Sequence, residues 1–135
     1  MSTSSLRILP GVLDGVALLG FLLVGLRTHG APLTPAHILR DGLPLLGAWY
    51  LVAAIIRLYR HPRWAAVVTT WAIAVPVGIL IRQWWVGRLF TRATPVFLVT
   101  ALTFTLAFLL AGRLVAALLA RLVGRRVRGR APAVG

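Results

Sequence analysis

Only two side chains in the 135 residues carry a carboxylate, Asp14 and Asp41. Asp14 is written into an apolar run, GVLDGVALLGFLLVGLRTH from Gly11 to His29. An ionisable group inside such a run does one of two things: it titrates or binds a cation in a transport path, or it is held by an opposite charge as a structural pair. Depth separates these readings. Counted from Pro10, Asp14 lies only about 6 Å along a helix rising about 1.5 Å per residue, near the start of the run and close to the positive end of the helix dipole. By the same rise Arg113 lies about 27 Å beyond Pro95, which returns it to the level of Asp14, and Arg57 closes the second run at a similar depth. An intramembrane ion pair of Asp14 with Arg113 or Arg57 is the expected structural role. Proton-linked or cation transport through Asp14 is the alternative.

A second group collects at the other end of the runs, where Arg27, His29, His37, Arg40, Asp41, Arg82, Arg88 and Arg92 form a cationic rim. Its plain reading is a solvated surface in which Asp41 pairs one arginine. Arg27, His29 and Arg82 could instead hold an anion or a headgroup, because guanidinium groups and helix N-termini both favour negative ligands. Metal binding is not expected, since His29 and His37 match no ligand spacing and lack carboxylate or thiolate support. With no cysteine and no glutamate, and with serines only at positions 2, 4 and 5, the chain has no parts for the usual nucleophilic or metal chemistry. It carries no phosphate loop and no cofactor-binding pattern, so we read it as having no enzymatic activity and no cofactor.

The elements that position these residues follow from composition. Hydrophobic residues make up 59% of the chain, charged residues 13%, and the mean hydropathy is +0.90, against a charged fraction of roughly a quarter in soluble domains. A span needs roughly 20 apolar residues, and the uncharged runs give four, at about residues 9–26, 36–59, 64–81 and 95–113. The fold class expected is all-α, an integral-membrane antiparallel four-helix bundle. A short N-terminus covers residues 1–8, the helical domain 9–117, and a basic tail, helical at its start, 118–135.

Pro10 suits a first helical turn, and Thr34-Pro35 and Thr94-Pro95 read as a cap followed by a first helical residue. Pro44 predicts a kink in the second helix by removing the bond to the Arg40 carbonyl, and Pro76 with Gly78 predicts a loosened second half of the third. Trp64, Trp84 and Trp85 fall at span ends, where amphipathic rings prefer the headgroup region, whereas Trp49 and Trp71 lie deeper, as packing residues.

The basic residues are fifteen arginines, with no lysine, and the net charge is +13. Four spans place Arg7, Arg57, Arg60, Arg63, Arg113, Arg121, Arg125, Arg126, Arg128 and Arg130 on one side and Arg27, Arg40, Arg82, Arg88 and Arg92 on the other. Ten against five predicts a multi-pass protein with both termini in the cytoplasm. The partner expected is a bilayer with anionic headgroups, since each tail arginine near such a surface contributes about 1 kcal/mol, together with further copies of the chain or other membrane proteins. The tail could also meet nucleic acid phosphates, but no folded basic domain or aromatic stacking platform accompanies it, which argues against that partner.

Three segments resemble the domain of unknown function 3054 family: LDGVALLGFLLVGLRTHG, TTWAIAVPVGILIR and TPVFLVTALTFTLAFLLAGRLVA. The matching features are the early aspartate Asp14, the exit Gly25, Arg27, Thr28 and His29, the arginine closing the third span at Arg82, and Gly112-Arg113 closing the fourth. The resemblance covers about residues 9–117. It implies a small four-helix membrane protein of prokaryotes and brings no activity with it; the location we expect is the bacterial inner (plasma) membrane. The function expected is that of a structural or accessory membrane subunit; the alternative is a component of a small proton-linked or anion transporter or channel that acts as an oligomer.

Overall fold

A computed structural model describes residues 3–60, 63–89 and 91–128, with the side chains of residues 3–8, 119, 120 and 122–128 not described. Four helices follow one another: α1 (Thr3–Thr28), α2 (Pro35–Ile56), α3 (Trp64–Trp85) and α4 (Ala93–Arg128). Each contains a segment long and apolar enough to cross a bilayer: Leu9–Thr28, Pro35–Ile56, Trp64–Trp85 and Ala93–Leu118. Among the described residues no strand is present, and the architecture is an all-α bundle. The helices close a ring in which α2 packs most extensively on α3 and α1 on α4, with α3–α4 and α1–α2 completing it. The start of α1 meets the end of α2 and the late part of α4, so neighbouring helices run antiparallel.

The three connections use one device. At the end of α1, Gly30 adopts a φ of 65° while its N–H donates to Arg27 O and that of Ala31 to Leu26 O. Gly87, at φ 68°, does the same after α3, with Gly87 N–H to Trp84 O and Arg88 N–H to Gln83 O. After α2 the left-handed residue is Arg57, at φ 58°, with Arg57 N–H bonded to Ala54 O and Leu58 N–H to Ala53 O. This pair of bonds satisfies the carbonyls that a helix end leaves without donors. Two of the three positions have glycine, which adopts this backbone freely; the third holds an arginine.

Helix boundaries differ from expectation in three places. α1 begins at Thr3, so Pro10 lies inside it and leaves the Leu6 carbonyl without its helical donor. Thr34 caps α2 by accepting from His37 N–H, whereas Thr94 lies inside α4 and its hydroxyl reaches back to the carbonyls of Arg88 and Leu89. α4 runs for 36 residues, about 54 Å at about 1.5 Å per residue, well beyond the thickness of a hydrocarbon core.

Lipid tails are as apolar as leucine, so apolar side chains alone give membrane helices little reason to associate; close backbone approach and polar contacts do that work instead. The α2–α3 crossing shows the first. A Cβ on Gly78 would stand 2.8 Å from Leu45 Cα and 2.9 Å from Pro44 O. Gly78 therefore does not loosen α3; it lets α3 press directly on the α2 backbone at Pro44. The core gathers around this crossing and its neighbours, with Trp49, Ala53, Val75, Ala74, Leu18 and Leu109 buried. On the α1–α4 side, Gly112 faces Ala17, and Phe21 meets Phe108 edge to face at 6.4 Å between centroids.

Gly78→Ala forces a methyl group into backbone that has no rotamer to yield, and the expected cost is about 1–3 kcal/mol, read as a lower thermal midpoint in detergent. Gly47→Ala, on the same bundle but with open space around the new Cβ, gains about 0.5–1 kcal/mol from helix propensity.

Candidate functional site

Both carboxylates are buried, at opposite ends of the bundle. Asp14 is 2% exposed and Asp41 4% exposed. A charge withdrawn from water this far has to be paired and hydrogen-bonded, and each of them is.

At the first end, Arg113 Nη2 donates to Asp14 Oδ2 at 2.7 Å. The reach depends on the α1–α4 contact: Ala17 lies three residues along α1 from Asp14, on the same face, and Gly112 opposite it precedes Arg113. Small residues at Ala17 and Gly112 bring the two backbones close enough for the guanidinium to reach the carboxylate. The same oxygen accepts a second bond from Tyr59 Oη at 3.2 Å, and Tyr59 Oη in turn accepts from Trp49 Nε1 at 3.0 Å. Trp49 is fully buried. An indole, a phenol and a guanidinium from α2, the turn after it and α4 therefore converge on one carboxylate of α1. Beside them Tyr50 Oη donates to Gly11 O at 2.8 Å, and a side chain at Gly15 would collide with that hydroxyl. Gly11 and Gly15 thus open α1 to the two tyrosines.

Arg57 does not take part. It is the left-handed residue of the turn, it is exposed, and among the described residues it makes no bond to Asp14. The turn buries Leu58 and brings Tyr59, two residues on from Arg57, against Asp14. Burial pushes the Tyr59 hydroxyl well above the ordinary phenol range, which keeps it a donor.

At the second end, Asp41 pairs with two arginines where one was expected. Arg40 Nε lies 2.9 Å and Arg82 Nε 3.1 Å from Asp41 Oδ1, and Arg82 Nη2 donates to Oδ2 at 3.3 Å. Arg82 also donates to Gln83 Oε1 at 3.3 Å and stands 5.2 Å from the centre of the Phe97 ring. Within a rim whose Arg27, His29, Arg88 and Arg92 are exposed, Asp41 is buried and joins α2 to α3 through Arg82, with Phe97 of α4 beneath it. Arg27 and His29 are exposed, and among the described residues no hydrogen bond joins either of them to Arg82. Arg82, expected to share an outer anion site with them, is engaged by Asp41.

Among the described residues no group of three or more His, Cys, Asp or Glu side chains gathers to hold a metal ion.

The model of one family, described as protein of unknown function (DUF3054), matches residues 11–116. The chain belongs to that family. No curated protein and no solved structure matches it. The matched DUF3054 region contains every residue of both ion-paired clusters, from Gly11 to Arg113, and the family description establishes no activity.

Tyr59→Phe removes one donor from Asp14 and leaves the buried Trp49 Nε1 without an acceptor, with an expected cost of about 2–3 kcal/mol in thermal or denaturant unfolding. Arg57→Gly relieves the left-handed strain and leaves stability equal or higher by about 1 kcal/mol; a large loss would show that Arg57, rather than Tyr59, supports Asp14.

Proposed function

We propose that this DUF3054 protein is a structural or accessory subunit of the bacterial inner (plasma) membrane, multi-pass, with both termini in the cytoplasm and no enzymatic activity of its own. One observation carries the reading. The only carboxylates in the chain are each buried against arginine, Asp14 with Arg113 and Asp41 with Arg40 and Arg82. A transport path that moves protons or cations needs a carboxylate that can exchange its partner with the medium, and a carboxylate 2% exposed with a guanidinium and a phenol on one oxygen is held where it is. The partners this reading implies are anionic lipid and other membrane proteins, further copies of the chain included.

The orientation is supported by the ten-to-five division of arginines, counted over both loops and termini. Leu9, Val12, Val16, Leu51, Ile55, Val96 and Val99 are exposed on the bundle exterior, the distribution expected of a surface solvated by lipid.

Two measurements test the proposal. Full-length protein in proteoliposomes should pass protons no faster than empty vesicles under an imposed pH gradient, while Asp14→Asn lowers the thermal midpoint; flux above that of empty vesicles that Asp14→Asn abolishes would replace the structural reading with the transporter. Because the chain has no cysteine, single cysteines report topology directly. A membrane-impermeant maleimide applied to intact spheroplasts should label His29→Cys and spare Arg60→Cys, and the reverse pattern would invert the orientation.

A further inference from the structure

The Asp14 cluster leaves part of its positive charge unanswered. Among the described residues the one buried side-chain nitrogen or oxygen with no hydrogen-bond partner is Arg113 Nε. Arg113 borders a cavity of about 330 Å³ between α1, α3 and α4, whose lining includes Asp14, Arg63, Trp64, Leu13 and Val67. Arg63 enters it from the residue just before α3, where it gives the helix no side-chain cap. Among the described residues no side chain accepts from the first turn of α3, which carries the positive end of the helix dipole.

Charge and shape define what fits. Two guanidinium groups and one carboxylate line the cavity, so it carries net positive charge, and Oδ2 of that carboxylate already accepts from Arg113 and Tyr59. An anion with several oxygens satisfies it, and phosphate is the group that arginine pairs and helix N-termini hold best. A cationic headgroup meets two guanidinium groups against one carboxylate and is repelled on balance. The rest of the lining is hydrocarbon, and Trp64 is 63% exposed at the head of its span, where indole rings mark the interface between headgroups and acyl chains.

We propose that this cavity binds the phosphate headgroup of an anionic phospholipid from the adjoining leaflet, with Arg63 and Arg113 on the phosphate and the apolar wall of α1 and α3 against the first part of the acyl chains. This deepens the preceding section and rests on its placement of the bundle in the membrane. It places the anion at the Arg113 end of the bundle, where a second guanidinium, that of Arg63, lines the same cavity.

The test uses full-length protein in a neutral maltoside detergent, with the thermal midpoint followed against added short-chain phosphatidylglycerol, short-chain phosphatidylcholine or inorganic phosphate. Phosphatidylglycerol should raise the midpoint in a saturable way and phosphatidylcholine should not. Arg63→Gln, at an exposed residue that makes no side-chain bond within the bundle, should fold normally and weaken the half-saturating concentration about fivefold or more, as expected for loss of one arginine at the surface. Arg63→Lys should keep part of the response, and Arg121→Gln, exposed and further along α4, should keep all of it. Equal responses to the two lipids, an unchanged response in Arg63→Gln, an equal loss in Arg121→Gln, or the full effect from inorganic phosphate at the same concentration would each overturn the proposal. None of these outcomes alters the proton-flux result, so the site and the structural role fail separately.

Discussion

The arrangement turns on one constraint: a carboxylate 2% exposed inside a helix long and apolar enough to cross a membrane. The effective penalty for burying such a charge is several kcal/mol, and it is offset only when geometry and hydrogen bonding around the ion are both good. Several otherwise separate features follow from meeting that demand at Asp14. Gly112 and Ala17 face each other where α4 lies close enough to α1 for Arg113 to reach the carboxylate. The chain after α2 must turn back sharply enough to deliver Tyr59, and Trp49 must stand beneath Tyr59 to fix its hydroxyl. Tyr59 after α2 and Arg113 of α4 are thereby held to one oxygen atom of α1, with Trp49 behind Tyr59.

Asp41 repeats the solution at the opposite end with different parts. Arg82 crosses from α3 to α2 and lies over Phe97 of α4, and Gly78, one turn before Arg82, permits the backbone contact that brings α3 into range. The two crosslinks tie α1 to α4 at one end and α2 to α3 at the other, and these are the two most extensive helix pairs in the bundle. In a solvent where apolar surfaces gain nothing by meeting each other, a bundle held by a polar crosslink at each end and by glycine crossings between them is the expected way for four short spans to keep one arrangement.

The spans were legible from hydropathy because a bilayer demands length and apolarity of every crossing segment. The level shared by Asp14 and Arg113 was legible too, since rise per residue converts sequence position to depth, and their atoms lie 2.7 Å apart. Tyr59 was not, because its position depends on a left-handed turn at Arg57 where no glycine announces one. Arg40 beside Asp41 was equally hidden: adjacent residues on a helix do not face each other, and the bond forms because the long arginine side chain folds back over a carboxylate that Arg82 already holds. Gly78 and Pro76 together read as a weak place in α3, yet the glycine is a contact point, a distinction that only the facing helix can make. The engagement of Arg82 by Asp41 was hidden for a related reason, since counting arginines does not reveal which of them is already paired.

The central claim is that Asp14 and Arg113 hold α1 to α4 as a unit, and a double-mutant cycle on unfolding in detergent measures it most directly. Asp14→Asn and Arg113→Gln should each destabilise the bundle by about 3 kcal/mol or more, the loss expected when one member of a buried pair is left alone. The double variant should recover part of that loss, giving a coupling of about 1–3 kcal/mol. Strict additivity of the two substitutions would contradict the account.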